Sequence, residues 1–258
     1  MMSSADNFFA HTTAASRYAA GRPYFHPLAI ERIRQACGIK ERLSRALDVA
    51  CGTGMSSIAL LDIAETVVAA DASAEMLAHA QQHPRISYVH AAAEHLPDEL
   101  GVFKIITVAM GFHWLNRPAF MSRAAQLVRP GGRLAIYNDR FSATMRESSD
   151  FKHWNKSEYI RRFPTPPRDY TPMTADEARK FGFEQSTAID FMHDVTFAPE
   201  QVVAYLLTQS NTIAVIERGT LSLSDAADQL LRGVSQAFGQ HRVGTFIFHC
   251  DIQIYRRL

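Results

Sequence analysis

The sequence predicts an α/β protein built on a doubly wound, mostly parallel seven-stranded sheet of the Rossmann-like kind. Three observations carry this. The run Leu47-Asp48-Val49-Ala50 empties into a glycine turn, Gly52-Thr53-Gly54, and then into helix-forming residues 56–63. A second apolar run, 66–70, ends on Asp71, close to the roughly 20-residue offset at which a βαβ unit presents a carboxylate to ribose hydroxyls. Further strand-like runs at 86–90, 104–110, 133–137, 183–197 and 246–254 are separated by helical segments, the pattern of a sheet covered on both faces.

Each element follows from local chemistry. Residues 8–27 hold Gly21, Pro23 and Pro27, too many turn formers for one continuous helix. Pro27 opens a helix over 28–37 that Gly38 stops. After the first strand, glycine turn, helix and second strand, Ser73 is the N-cap of a helix running to about Gln82, ended by Pro84. Asn116 and Pro118 start a helix that ends near Val128, and Arg129-Pro130-Gly131-Gly132 turns the chain into the fifth strand. Thr174-Ala175-Asp176-Glu177 reads as a capping box. Pro199 opens a helix to Thr208, broken by Gln209-Ser210-Asn211-Thr212, and 224–238 is amphipathic.

The glycine turn defines a crevice. Amides at the start of the following helix, with the positive end of its dipole, face whatever sits there. Gly52 and Gly54 let a ligand approach the main chain, and Asp48 and Asp71 are acids aimed at the same place. A dinucleotide fingerprint needs a third glycine at 57, where this chain has Ser57. A nicotinamide-dependent oxidoreductase is therefore the weakest reading.

Leu47-Asp48-Val49-Ala50-Cys51-Gly52-Thr53-Gly54 resembles motif I of the class I S-adenosylmethionine-dependent methyltransferases, and Ala70-Asp71-Ala72-Ser73-Ala74-Glu75-Met76-Leu77 resembles their second-strand motif. Ala93-Glu94-His95-Leu96-Pro97 and Leu127-Val128-Arg129-Pro130-Gly131-Gly132 match later motifs. The resemblance implies S-adenosyl-L-methionine as cofactor and an antiparallel last strand. It places Ala50, Gly52, Gly54, Asp71, Ala72 and Ala109 along the cofactor, Met76 on the adenine ring, and Ala92, Ala93 and Glu94 at the adenine edge. Glu94 has a second reading as a helix-start acid. Many relatives carry an acid where this chain has Ala92. Tyr18 and Arg22 match a Tyr-x-x-x-Arg-Pro lid over the cofactor, where a guanidinium can hold a carboxylate bidentately. His113-Trp114, after the fourth strand, is similar to the small-molecule subgroup that includes trans-aconitate methyltransferase. That implies a small-molecule acceptor, for instance a carboxylic acid. His113 then orients the acceptor or deprotonates it, and Trp114 walls off water. Residues 140–182 resemble the insertion that caps the substrate pocket in such enzymes. A methyltransferase-fold protein that binds cofactor or a partner without catalysis is the alternative.

Composition sets bounds. With 258 residues, 47% of them hydrophobic, the chain can bury a full core as one domain, residues 1–27 and 140–182 being elaborations of it. Twenty-seven basic residues against 26 acidic ones, net +1, make no electrostatic case for nucleic acid. Three widely spaced cysteines without CxxC spacing indicate neither a zinc site nor a disulfide framework, so no metal is expected and a reducing cytoplasm fits. No secretory leader and no 18-residue apolar run is visible, so a soluble, cytoplasmic protein without membrane contact is expected.

Overall fold

The computed structural model describes residues 12–167 and 171–258. The first residues of the expected N-terminal arm, and 168–170 of the expected insertion, lie outside that range. The strands are β1 (Leu43–Val49), β2 (Ala64–Asp71), β3 (Ile86–His90), β4 (Phe103–Ala109), β5 (Val128–Met145), β6 (Phe183–Phe197) and β7 (Gly244–Arg257). They form one sheet in the order β3-β2-β1-β4-β5-β7-β6. The first five are parallel, and β7 runs antiparallel to both β5 and β6. This is the predicted doubly wound sheet with its antiparallel last strand.

Register decides where the site lies. Val49 is level with Ala70 and Val108, Asp71 with His90, and Ala109 with Tyr137. The loops leaving β1 to β4, and the continuation of β5, therefore line one carboxyl edge. The chain winds one way from β1 through β2 to β3, then crosses back to β4. The crevice at such a reversal is where open α/β sheets take ligands.

Helices cover both faces. On one, α2 (His26–Ala36) and α3 (Met55–Leu60) pack Ile30, Ile33, Ala59 and Leu60 against Ala46, Val67 and Ile105. On the other, α5 (Arg117–Leu127) and α8 (Ala175–Lys180) pack Phe120, Met121, Ala124 and Ala178 against Leu47, Ile106 and Leu134. The caps are those the sequence names: Asn116 Oδ1 accepts from Ala119 N–H, and Thr174 with Glu177 closes a capping box.

Four elements differ from expectation. The N-terminal arm contains a helix, α1 (Thr12–Gly21), which ends before the Arg22–Phe25 turn, so 8–27 is indeed not one continuous helix. The helix after Ser73, α4 (Ala74–Ala78), stops short because the next residues fold back, Gln81 N–H donating to Thr53 O at the glycine turn. The fifth strand runs 18 residues, from Val128 past Tyr137 to Met145. With β6 and β7 it projects beyond the carboxyl edge, where Met145 pairs with Phe246 and Phe197 with Gly244. These extensions carry Phe141, Phe197, Phe246 and Phe248, a third core that short helices close. The roof over the edge therefore comes from two chain segments rather than from 140–182 alone. The first supplies α6 (Asp150–Trp154), a π turn (Asn155–Tyr159) and α7 (Ile160–Arg162). The second supplies α9 (Pro199–Leu206), α10 (Ser210–Glu217) and α11 (Leu223–Phe238).

Candidate active site

The glycine turn is held from beneath. Asp48 is fully buried, and its carboxylate accepts hydrogen bonds from the hydroxyls of Ser56 (2.6 Å), Ser57 (2.7 Å) and Thr107 (2.9 Å). Burial pushes its pKa up, and the three hydroxyls oppose that rise. This corrects the sequence assignment, because a carboxylate caged at 0% exposure does not face a ligand. It pins α3 to β1 and β4 instead. The same contact explains Ser57, which tethers α3 through a hydroxyl where a dinucleotide fold has glycine.

Above that cage the backbone is strained outward. Ala50 and Met110, one residue beyond β1 and β4, both take left-handed conformations, with φ of 56° and 55°. Such conformations cost a non-glycine residue about 1–2 kcal/mol each. They redirect the chain at both strand exits, which pack so closely that a Cβ at Gly111 would lie 2.6 Å from the Ala50 Cβ. Gly54 has φ of 81°, and a Cβ there would lie 2.2 Å from the Tyr88 hydroxyl, which donates to Gln81 O.

Asp71 is placed as predicted at the end of β2. Its Oδ2 accepts from Gly52 N–H and its Oδ1 from Ser73 N–H, both at 2.8 Å. Two of the carboxylate's roughly four acceptor positions are thus used, and the rest remain for a pair of hydroxyls. Burial raises its pKa, against the pull of those two amides and of His90. Met76 is buried, and its methyl group lies 3.0 Å from where a Gly52 Cβ would stand, so it forms a wall beside the turn. Ala93 is buried and Ala72 exposed on the neighbouring loops, with Ala92 just ahead of a 3₁₀ turn (Ala93–His95) and Ala109 buried at the end of β4. Glu94 accepts from Asn116 N–H at 2.7 Å, which ties the β3 exit to the start of α5.

The N-terminal lid docks on the roof. A Cβ at Gly21 would come 2.6 Å from Ala204 O, so glycine lets α1 press against α9. Arg22 donates to Thr208 O at 3.0 Å, and its guanidinium lies over the rings of Tyr18 (4.7 Å) and Tyr205 (5.4 Å). Beneath it is a small cavity. Tyr18, Arg22, Phe25 and His26 line it from the lid and α2, and Met55 and Met110 from the crevice. Asp139, Phe248 and Tyr205 complete it.

The methyltransferase domain family matches residues 46–132, from β1 through the turn into β5. Over those residues the chain is similar to a methyltransferase domain. An uncharacterized methyltransferase of Mycobacterium tuberculosis is 31% identical over 130 residues, half of this chain and 51% of that one. The chain spans about half the length of the curated relatives it matches. Among solved structures, a candidate type II methyltransferase from Anaeromyxobacter dehalogenans superposes with a TM-score of 0.65 at 20% identity, covering 88% of this chain and 95% of that one. Haemonchus contortus phosphoethanolamine N-methyltransferase 2, in complex with phosphomonomethylethanolamine and S-adenosylhomocysteine, superposes with a TM-score of 0.50 at 17% identity, covering 97% of this chain and 60% of that one. Both structural likenesses speak for the fold alone.

The residues of this methyltransferase domain fit an adenosyl cofactor. Asp71 has acceptor capacity left for a sugar diol. Thr53 Oγ1 and Arg22 Nε are buried polar atoms without a hydrogen-bond partner among the described residues. The first lies on the glycine turn and the second on the lid, where a ligand's polar end would meet them.

His113 and Trp114 occupy a 3₁₀ turn (Phe112–Trp114) at the β4 exit, their rings 5.3 Å apart. Trp114 packs against Ala14 of α1 and Ile213 and Ala214 of α10, clasping lid to roof. Met110 lines the cavity, whereas His113 is outside its lining. Sequence reading passed over Asp139, His193 and His26. Asp139 Oδ1 is 2.9 Å from His193 Nε2, and His26 Nδ1 is 3.1 Å from the Tyr137 hydroxyl. Full burial, with Arg22 close by, lowers the His26 pKa to about 3, so its ring is neutral. A signal for Asp139 existed in the carboxyl-edge rule, since it follows Tyr137 by two residues. His193 gave none, being one position in an alternating strand.

Proposed function

We propose that the protein transfers a methyl group from S-adenosyl-L-methionine to a small-molecule acceptor. The observation that carries this reading is Asp71, anchored by Gly52 and Ser73 amides with acceptor positions to spare, beside an unpartnered Thr53 hydroxyl. Asp71 then holds the ribose hydroxyls, Met76 and Ala93 bracket the base, and Arg22 with Tyr18 takes the cofactor's carboxylate. The cofactor supplies a methyl on a cationic sulfur, which needs no activation by the protein. The protein's work is placement: holding the acceptor in line contributes about 7–11 kcal/mol in well-oriented systems.

A small acceptor is supported by enclosure. The cavity lies beneath a lid that Trp114, Gly21 and Arg22 hold against the roof, a narrow space that suits a small molecule better than a polymer. His113, at the β4 exit but outside the cavity lining, is given a supporting part beside Trp114, the two rings 5.3 Å apart. The carboxylic-acid acceptor suggested by sequence resemblance finds a cation in Arg22, but that guanidinium is the one given to the cofactor here.

Calorimetry with S-adenosylhomocysteine tests the cofactor, and transfer of a radiolabelled methyl into a metabolite extract tests turnover. Heat without transfer would replace this reading with cofactor binding alone, and absence of heat would remove it.

A further inference from the structure

We propose that the acceptor is an amine, held and deprotonated by the carboxylate of Asp139, with His193 as the residue that positions it. This rests on the methyltransferase reading above and names the acceptor class for the same cavity.

Asp139 is the acid lining the cavity. Its side chain is 3% exposed, and Oδ1 is engaged by His193 Nε2 at 2.9 Å. Its own amide faces Met110 Sδ at 2.8 Å, which fixes the main chain against the β4 exit. Oδ2 takes no hydrogen bond from any described residue. With no bond of its own and its residue lining the cavity, that oxygen is open to a donor from a ligand. His193 cannot turn away, because its ring is stacked against Phe25 (centroids 6.1 Å, planes 15° apart) and Phe248 (5.5 Å, 25°). The dyad thus presents one carboxylate oxygen in a set direction.

The remaining walls favour a cation over an anion. Tyr18, Phe25, Tyr205 and Phe248 offer aromatic surface, which attracts ammonium groups. His26 adds no positive charge, since burial keeps it neutral. Arg22 is the cation of the lining, and it is stacked between two tyrosines and bound to Thr208 O. An acceptor carboxylate would meet Asp139 as a like charge in a water-poor space.

The step balances with the groups named. The ammonium nitrogen gives one proton to Asp139 Oδ2, and its freed lone pair takes the methyl. The electrons of the broken carbon–sulfur bond stay on the donor sulfur, and the product leaves as a methylated ammonium. Asp139 afterwards returns its proton to solvent.

The test is calorimetric titration of the protein, with and without saturating S-adenosylhomocysteine, using benzylamine and its acid counterpart benzoate. Wild type should bind benzylamine at least about tenfold more tightly than benzoate, roughly 1.4 kcal/mol. Asp139→Asn, which keeps an acceptor for His193 but loses the charge, should erase that preference. His193→Gln, retaining an N–H donor, should keep most of it, whereas His193→Phe should not. Benzoate binding as tightly as benzylamine to wild type overturns the proposal without any variant. So does a preference that survives Asp139→Asn. If S-adenosylhomocysteine fails to bind wild type, the methyltransferase reading falls, and the titration without it still decides the amine site.

Discussion

Replacing Asp71 by asparagine probes the cofactor site at its most exposed assumption. In the structure each carboxylate oxygen receives one backbone amide, from Gly52 and from Ser73, at 2.8 Å. Asparagine keeps one acceptor oxygen and sets an NH₂ against the other amide, so one buried N–H loses its partner. Hydrogen bonds to charged groups are worth about 1.5–3 kcal/mol, and an unsatisfied buried donor costs about 1–3 kcal/mol. The variant should therefore lose about 2–4 kcal/mol of stability, a fall of roughly 4–16 °C in melting temperature for a chain of this size. On the ligand side, two hydrogen bonds from a diol to a carboxylate become at best one to a neutral amide. The loss of about 3 kcal/mol predicts affinity for S-adenosylhomocysteine down by two orders of magnitude or more. Melting followed by dichroism and binding followed by calorimetry read the two effects separately. A folded variant that binds within about threefold of wild type would refute the reasoning, since the diol would then be held elsewhere.

Asp48→Asn should behave differently, weakening the three hydroxyl bonds from Ser56, Ser57 and Thr107. It should lower stability by about 3 kcal/mol in denaturant titration, while affinity for S-adenosylhomocysteine in the folded variant stays within about fivefold. Acidity separates stability from binding. Burial raises both Asp48 and Asp71 above 3.8, so the folded state holds these protons more tightly than the unfolded one. Their contribution to stability is therefore greater below that pKa and is lost as pH rises through the raised folded values. Affinity for S-adenosylhomocysteine should move the other way and fall as Asp71 protonates on acidification, an opposition that paired melting and calorimetry across mildly acidic pH would detect. Gly111→Ala would bring a Cβ to 2.6 Å from the Ala50 Cβ, where both strand exits are already strained. It should cost about 1–3 kcal/mol in chemical denaturation. His113→Ala should change methyl transfer by less than about tenfold, because His113 lies outside the cavity lining and Asp139 takes the proton; a loss of about 10²-fold or more would make His113 the base instead.

The crevice was legible in the sequence because its signals are local. Strand, glycine turn, helix and terminal acid each lie within a few residues of one another, and backbone geometry fixes where such neighbours point. Asp71, Gly52 and Met76 stand together at the glycine turn for that reason, and their contacts with a cofactor are proposals. Asp48 shows the limit of the same logic. Its position at the strand end was right, yet whether its carboxylate meets a ligand depended on three hydroxyls, two of them eight and nine residues on and the third from β4.

The sequence alone determined the sheet: which segments are strands, that a glycine turn carries β1 into α3, and that a carboxylate stands at the end of β2. It did so because strand periodicity, caps and turns are properties of contiguous residues. Only the tertiary structure decided the acceptor side. The lengths of β5, β6 and β7 depend on one another, since Phe141, Phe197 and Phe248 have a reason to stay in strand only when the third core forms between them. Asp139 and His193 are 54 positions apart and meet across β7, a contact no local pattern encodes. The binding edge follows from the order of residues along the chain, and what it can hold follows from which distant side chains the packed sheet brings face to face.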